Sequence, residues 1–444
     1  MKRLITGLIC SILLLTTVFM AGCGRNQSDG QSQTSGNAQA SENAQITLNV
    51  MTWDGSDNLV KQIFDKTISS FKASHNNATI NLQNVDYNDY FTKLQTQLAA
   101  GSPPDVYELG ESDINKYWNK GLLIDLTPYT TGKNKMDMSD FYPNVLQVVE
   151  QEGKLPGIPV GPATYAIYYN KKMFDEAQVQ YPASGWTWDD FRDTAIKLTK
   201  TENGKPVQWG ALLPTSSDQI EPLLVSNGGS ILSSDGKAAV GYLDSAKSVE
   251  ALKWYSELAL MVSPSTDQQK AFGSGVDLFN TGKVAMNFTG PWPMTTYQNN
   301  KDLDFGVIEL PKWKGADTND IMYCAAYGIS NKSKYPQAGW DFIKEFCDPS
   351  TESGKMLAKH GLPATKTLAA DPVYNDAVFQ PFINELNTGI IKSAYFLNPY
   401  FRSAQSQYLN PALQTLCSQK GVDVQAKMTE VAKQMDMYFK QQGN

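Results

Sequence analysis

Strand-like and helix-like patterns alternate between residues 46 and 109, and no other feature constrains the fold of this chain as strongly. Residues 46–50 alternate apolar and polar side chains as a strand does, and the apolar residues that follow recur at helical spacing. A strand around residues 80–82, a further helix and a strand at 104–109 come next in the same order. Strands that alternate with helices favour a largely parallel sheet with helices on both faces, which is the α/β class.

The same pattern returns in the middle of the chain. Gly161 and Pro162 interrupt the structure before residues 165–170, which are expected to form a strand. Thr187 is placed to cap a helix, with the acidic Asp190 three positions further on. The sequence therefore predicts a second α/β unit after the first.

Polar and aromatic residues stand where strands of the first unit end. In an open α/β sheet, ligands bind beyond the carboxyl ends of the strands. The residues at those ends are Trp53, Asp54, Glu111 and Asp113. We therefore expect a binding site on this side of the first sheet.

Residues 1–22 have the layout of a secretory signal, with Lys2 and Arg3 before an apolar run and small residues at its end. Cys23 follows directly and resembles the lipobox cysteine of bacterial lipoproteins, which implies cleavage before Cys23, lipid attachment to it and a place on the outer side of the cell membrane. Residues 23–45 are mostly Gln, Ser, Asn, Gly and Ala, so we expect a flexible linker.

The composition argues against several classes of function. The net charge is −7, and Lys and Arg form no cluster, which argues against nucleic acid as a partner. His75 and His360 are the only histidines and lie in unrelated contexts, without the spacing of a catalytic triad or a metal site. A phosphate-binding Gly-rich loop is also absent. We expect no enzymatic activity, cofactor or metal.

The cysteines after the lipobox are sparse. Cys324, Cys347 and Cys417 lack paired spacing, and Cys347 falls on an apolar helical stripe that predicts burial. One disulfide among the three remains open at this point. The apolar stripe from Val424 to Tyr438 is expected to pack on its own domain, which favours a monomer.

Several short motifs occur in a characteristic order after residue 100. They lie at residues 104–106, 121–126, 168–174, 186–191, 279–286, 290–292, 327–330 and 361–364. With these motifs the chain resembles family 1 extracellular solute-binding proteins, the sugar receptors of ABC importers. The resemblance implies a di- or oligosaccharide ligand, a permease in the membrane and a cytoplasmic ATPase.

The resemblance also implies a type II periplasmic-binding-protein-like fold, with two α/β lobes, each a mixed and mostly parallel sheet, joined by a hinge of three chain crossings. We place the crossings near Gly161, Gly290 and Asn331, the first two at Gly/Pro breaks. Lobe 1 would comprise residues 45–161 and 290–332, and lobe 2 residues 162–289 and 333–444.

A sugar site needs aromatic rings against the C–H face of the ligand and polar groups for its hydroxyls. We expect Trp53 and Trp292 to stack on the sugar, Tyr165 and Tyr327 to form partial walls, Asp54, Glu111 and Asp113 to accept hydrogen bonds, and Arg402 to donate them.

Three other functions are open to such a chain. A polyamine receptor also combines aromatic and acidic residues, and this chain is acidic. An extracellular glycosidase needs two carboxyl groups across the scissile bond, for which Asp54 and Glu111 could be brought together. A ferric-ion receptor needs clustered tyrosines, but the neighbours Tyr168 and Tyr169 would face opposite sides of a strand.

Overall fold

The structure is a computed structural model that describes residues 45–53, 58–132, 134–273, 275–313, 320–357, 359–386 and 390–443. The expected signal, Cys23, most of the linker and Asp54 lie outside the described residues. Among the helices that are described, none is long and apolar enough to cross a membrane.

Strands and helices alternate over much of the chain. The strands are β1 (Ile46–Thr52), β2 (Ala78–Asn84), β3 (Val106–Leu109), β4 (Ile158–Ala163), β5 (Ala166–Asn170), β6 (Lys200–Glu202), β7 (Lys205–Gln208), β8 (Met286–Thr289), β9 (Phe305–Glu309), β10 (Asp320–Ile329) and β11 (Ile390–Lys392). The helices are α1 (Asn58–Ser74), α2 (Tyr87–Ala99), α3 (Glu111–Asn119), α4 (Pro143–Val149), α5 (Lys171–Ala177), α6 (Trp188–Leu198), α7 (Ser217–Ser226), α8 (Ala246–Val262), α9 (Thr266–Ala271), α10 (Met294–Asn299), α11 (Pro336–Cys347), α12 (Glu352–Leu357), α13 (Lys366–Ala369), α14 (Gln380–Leu386), α15 (Ala394–Leu397), α16 (Phe401–Ala404), α17 (Asn410–Ser418) and α18 (Val424–Gln441). The α/β class predicted from the sequence is confirmed.

The first sheet is mixed and has six strands. Its order is β11-β10-β3-β1-β2, and β4 also pairs with β10. β1 runs parallel to β2 and β3, as the alternation of strands and helices predicts. β10 enters from much later in the chain and runs antiparallel to β3 and β4.

The second sheet has the order β8-β5-β9, and β5 is antiparallel to both of its neighbours. Single parallel bridges join Trp209 to Val284 and Leu212 to Asn287, so the segment after β7 lies alongside β8. The sheet is mixed, but antiparallel pairs predominate, whereas the sequence favoured a mostly parallel sheet. The cause is that β8 and β9 both run opposite to the central strand β5, with which both of them pair.

The strand pairing corrects the expected positions at which the chain passes from one sheet to the other. Gly161 lies within β4, and only Thr164 and Tyr165 separate β4 in the first sheet from β5 in the second. At Gly290 the chain does not change sheets, because β8 before it and β9 after it both pair with β5.

Two large apolar cores accompany the two sheets. The first contains β1, α1 and also α11, since Phe64 stacks on Phe346 with ring centroids 4.8 Å apart and Trp340 is fully buried there. Residues 336–347 therefore pack with the first core, and not with the second as the expected lobe boundary at residue 333 required. Their apolar stripe follows directly after β10, which is a strand of the first sheet.

The second core contains α6, α8, α17 and α18. Trp188 is buried in it, and Thr187 forms the expected capping box with Asp190. The stripe of the last helix is buried in the same core, from Val424 to Phe439. Cys324, Cys347 and Cys417 are free thiols, so the disulfide that the sequence left open is not present, and Cys347 is buried as predicted.

Candidate functional site

Trp53 lies at the carboxyl end of β1, half-buried against aromatic side chains. Its ring centroid is 4.9 Å from that of Tyr90, 5.5 Å from that of Phe91 and 5.9 Å from that of Tyr87, all three on α2. Its backbone N–H donates to Glu108 Oε2 at 3.2 Å. The end of β1 is therefore fixed by a ring cluster on one side and by a buried carboxylate on β3.

Tyr327 supports this strand end from behind. Its hydroxyl donates to Thr52 Oγ1 at 3.0 Å, and Thr52 Oγ1 donates in turn to Glu108 Oε2 at 2.6 Å. Tyr327 is buried in the first core against Phe346, with ring centroids 5.1 Å apart. The structure thus places Tyr327 underneath the site, where it cannot form the exposed wall that the sequence suggested.

Glu111 and Asp113 lie in the first turn of α3, directly after β3 and Gly110. The N-terminus of a helix favours negative charge because its free N–H groups point outward. Burial nevertheless raises the pKa of both carboxyl groups, and the nearby Arg402 opposes this increase. Both carboxyl groups are therefore buried where a nearby cation favours their ionised form.

Arg402, on α16, supplies that cation. Its Nη2 lies 3.5 Å from Glu111 Oε2, and its Nε lies 3.9 Å from Asp113 Oδ2. Its Nη1 donates to the Tyr87 hydroxyl at 3.4 Å. Although burial alone would lower the pKa of Arg402, the neighbouring Tyr87 and acidic groups raise it, so the guanidinium is charged.

The planar guanidinium also lies between two rings. Its Cζ is 3.8 Å from the ring centroid of Phe91 and 5.2 Å from that of Tyr395 on α15. Gly110 makes this approach possible, because a Cβ at that position would lie 2.5 Å from Arg402 Nη2. Arg402 Nε and Asp113 Oδ2 are both buried without a hydrogen-bond partner among the described residues, so the pair is close but not fully satisfied.

Tyr165 and Trp292 form a second aromatic group. Their rings meet edge to face, with centroids 5.6 Å apart and an angle of 90°. Tyr165 is buried and its hydroxyl donates to Asp218 Oδ2 at 2.9 Å. Trp292 is 52% exposed and lies over the backbone of Gly290, where a Cβ would overlap its ring. An indole in this position offers a free face to a ligand.

The start of α7 connects the charged group around Arg402 with the aromatic pair of Tyr165 and Trp292. The backbone N–H of Ser217 donates to Asn410 Oδ1 at 3.0 Å, and its hydroxyl donates to Gln405 Oε1 at 2.9 Å. These bonds hold the next residue, Asp218, near the segment that carries Arg402. The negative charge of Asp218 is one of the causes that raise the pKa of Glu111, after burial.

A buried carboxyl group lies one turn further along α7. Glu221 Oε1 accepts from the backbone N–H of Ala394 at 2.7 Å, and Oε2 accepts from the Tyr323 hydroxyl at 3.0 Å. The same Tyr323 hydroxyl is 2.7 Å from the carbonyl oxygen of Asp218. Burial raises the pKa of Glu221 to about 8. A protonated Glu221 fits these contacts, since the single proton of Tyr323 cannot serve two acceptors.

The structure brings several of the sequence-predicted site residues together. Glu111, Asp113 and Arg402 form one charged group, and Tyr165 and Trp292 form one aromatic pair. Trp53 joins the charged group through Phe91, while Asp54 lies outside the described residues. In the part of the chain that is described, no cluster of His, Cys, Asp or Glu could hold a metal ion.

Sequence reasoning missed four residues of this region. They are Tyr87, Phe91, Asp218 and Tyr395. Tyr87 follows β2 by a few residues, so the rule that ligands bind beyond strand ends could have identified it. Asp218 lies in a helix that follows an irregular segment, and Tyr395 lies in a short helix after β11, a strand of three residues that the sequence pattern did not indicate.

Three comparisons with known proteins bear on this site. A galactooligosaccharide-binding protein of Bacillus subtilis is 24% identical over 387 residues, which are 82% of this chain and 82% of that protein. A maltotriose-binding protein of Pyrococcus abyssi is 24% identical over 305 residues, which are 66% of this chain and 62% of that protein. The solved structure of the ABC substrate-binding protein Lmo0181 from Listeria monocytogenes, in complex with cycloalternan, has a TM-score of 0.75 at 25% identity and covers 90% of this chain and 98% of that one.

A family model also matches the chain. The model described as bacterial extracellular solute-binding protein matches residues 54–349, about two thirds of the chain. That range contains α1 to α11 and therefore most strands of both sheets. The chain belongs to the family of bacterial extracellular solute-binding proteins.

Proposed function

We propose that this protein is the substrate-binding lipoprotein of an ABC importer and captures a neutral di- or oligosaccharide. The observation that carries the proposal is the contact of Arg402 with Glu111 and Asp113. Arg402 belongs to the segment that packs on the second core, and the two acids belong to the first sheet's side of the molecule. Charged donors and acceptors from both cores meet there beside aromatic rings.

The chemistry of this region suits a sugar. Trp292 has an exposed face, and Trp53 is half-buried at the end of β1, so both rings could cover the C–H face of a pyranose. Glu111, Asp113 and Asp218 can accept from hydroxyls, and Arg402 can donate to them. The relatives named above bind oligosaccharides according to their descriptions, which supports the same ligand class for this chain.

The charges favour a neutral ligand. Two carboxyl groups, of Glu111 and Asp113, contact the guanidinium of Arg402, and the charge of Asp218 acts on Glu111. An anionic sugar would meet a net negative field, and the guanidinium is already engaged by Glu111 and Asp113. A polyamine is the second candidate, because Asp113 Oδ2 is buried without a hydrogen-bond partner among the described residues.

Transport requires a change of shape. We propose two lobes built on the two sheets, with the short link at Thr164 and Tyr165 as one of the hinge strands. A ligand that contacts both lobes favours the closed form, which a membrane permease would recognise while a cytoplasmic ATPase drives release. We further propose that lipid on Cys23 holds the protein at the outer side of the cell membrane, where it acts as a monomer without enzymatic activity.

Thermal-shift measurements followed by calorimetry test the proposal. Residues 24–444 would be titrated with galacto-, malto- and manno-oligosaccharides, uronic-acid oligosaccharides and spermidine. A ligand that binds only the native state raises the melting temperature. We expect at least one neutral oligosaccharide to bind, with no binding of the uronic acids.

The variant Trp292→Ala should lose that binding, while Tyr242→Ala, which truncates another exposed aromatic residue, should retain it. Binding of spermidine alone would replace the sugar proposal by the polyamine one. Release of shorter sugars during the titration would instead identify an enzyme.

A further inference from the structure

An open cavity of about 560 Å³ lies where α1 approaches α10. Asn58 and Gln62 on α1 form one wall, and Thr295, Thr296 and Asn299 on α10 form the other. α1 packs on β2 and α11, while Tyr297 of α10 packs on Tyr168 of the second sheet, and both helices contribute side chains to the first core. The volume lies within the usual range of ligand pockets.

Among the described residues that line this cavity, none is charged. Leu59 is apolar, and the others in this described lining have amide or hydroxyl side chains. Amide groups both donate and accept hydrogen bonds, and hydroxyl groups do the same. A surface of this kind matches the neutral hydroxyls of a sugar, and it offers nothing specific to a phosphate, a carboxylate or an amine.

Several of these side chains are available to a ligand. Within the described part of the chain, the side chains of Gln62, Thr296 and Asn299 make no hydrogen bond to another residue. Asn300 shows the contrast, since its Nδ2 donates to both oxygens of Asn280, at 2.8 and 2.9 Å, and so stiffens the floor of the cavity. The cavity combines a fixed floor with two walls of unpaired polar groups.

The walls of the cavity lie a few residues along the chain from the two tryptophans of the proposed sugar site. Trp292 precedes α10 by two residues, so Thr295 and Thr296 lie in the turn that follows it. Trp53 ends β1, and α1 begins five residues later with Asn58. Since consecutive Cα atoms lie about 3.8 Å apart, each wall begins within about 20 Å of its tryptophan, a distance that an oligosaccharide can span.

We propose that this cavity is an accessory subsite that takes additional sugar residues of a ligand longer than the part held at Trp53 and Trp292. The proposal rests on the proposed function, because it requires a sugar at the main site. The subsite recognises uncharged hydroxyl groups through amides and hydroxyls, and it sets a preference for longer oligosaccharides over disaccharides. It adds no requirement for a charged group on the ligand.

Calorimetry with a ladder of one linkage, from disaccharide to hexasaccharide, tests the subsite. The ladder would be made from whichever of the galacto-, malto- or manno-series binds the wild-type protein. We expect Gln62→Ala and Thr296→Ala each to weaken binding of the longer members roughly three- to tenfold, as the loss of one or two neutral hydrogen bonds implies, and to leave the disaccharide unchanged. Thr296→Trp, which fills the cavity from an exposed position, should exclude the longer members only.

Gln298→Ala is the matched control, since Gln298 is exposed on the same helix but does not line the cavity. Equal losses for all lengths, or no loss in any of the three variants, would overturn the subsite while leaving the sugar receptor in place. A wild-type protein that binds no member of any ladder would overturn the proposed function and the subsite with it.

Discussion

The guanidinium of Arg402 lies over the ring of Phe91, with Cζ 3.8 Å from the ring centroid. Such contacts contribute most when the cation is shielded from water, and only about a fifth of this side chain is exposed. The stack leaves the edge of the guanidinium free to meet Glu111, Asp113 and Tyr87. Phe91 therefore fixes the plane in which Arg402 can donate.

Replacing Arg402 should weaken sugar binding more than it weakens the fold. We expect Arg402→Ala to lower the affinity roughly 10- to 100-fold, as the loss of charge-assisted hydrogen bonds implies. Arg402→Lys should recover little, because an ammonium cannot stack on Phe91 or donate from a planar fork. Calorimetry with the sugar identified by the binding panel measures the affinities of both variants. Arg192→Lys, at an exposed ion pair of α6, serves as control, and full recovery in Arg402→Lys would contradict the stacking argument.

A methyl group at Gly110 should displace Arg402 without unfolding the protein. The backbone of Gly110 has φ −76°, which alanine adopts readily, but its Cβ would lie 2.5 Å from Arg402 Nη2. We expect Gly110→Ala to reduce sugar affinity several-fold and to change the free energy of unfolding by less than about 1 kcal/mol, because the guanidinium can rotate away. Gly361→Ala is the control, since nothing lies within 4 Å of a Cβ there. Unchanged affinity in Gly110→Ala would show that the position of Arg402 is not required.

Removing the hydroxyl of Tyr165 separates its structural role from its role in the site. Tyr165→Phe keeps the ring contacts with Trp292 but leaves Asp218 without its donor at 2.9 Å. We expect a loss of about 1 kcal/mol in stability together with a measurable loss of sugar affinity. Tyr297→Phe removes an equivalent bond, to Asp277 Oδ2 at 2.7 Å. It should cost similar stability and leave the affinity for a disaccharide unchanged, whereas equal affinities in both variants would exclude Asp218 from the site.

Glu221 should make the protein less stable as the pH rises from about 5 to 8. The pKa of its carboxyl group is raised from 4.5 to about 8 by burial, so between these values the native state binds a proton that the unfolded state has lost. The contribution of Glu221 to the free energy of unfolding must therefore decrease through this window, by about 3 to 4 kcal/mol. The charged group facing Glu221 from the same helix is Asp218, which raises the pKa further.

Glu221→Gln should remove this decrease. The amide retains an acceptor for the N–H of Ala394 and can donate to Tyr323, as the protonated acid does. Denaturant titrations of both proteins at pH 5 and pH 8 measure the difference. A parallel pH dependence in the two proteins would show that Glu221 is ionised throughout.

Periodicity predicted the elements that lie within one stretch of sequence. The stripe of α1, the capping box of α6 and the burial of Cys347 were all predicted correctly, because each depends on spacing within a few turns. The helix or core against which each element packs could not be predicted in the same way. Nothing in residues 336–347 indicates that they pack on α1, since an apolar stripe fits either core.

The charged part of the site was predictable as a set of residues but not as an arrangement. Glu111 and Asp113 stood out because they follow a strand, and Arg402 stood out within an aromatic motif, yet their meeting depends on chain segments almost 300 residues apart. Tyr327 shows the opposite case. Its sequence context is typical of a site wall, but the strand turns its side chain into the first core.

The packing of α11 on α1 has a consequence for the order in which the protein can fold. Phe64 and Phe71 of α1 are covered by Phe346 and Phe342, so the first core is incomplete until some 350 residues have been synthesised. The second core waits still longer, because α18 ends at Gln441. Contacts between such distant segments slow folding, since the long loops must close before any contact stabilises them. A growing chain therefore emerges from the ribosome without a finished core and folds only when almost all of it is available.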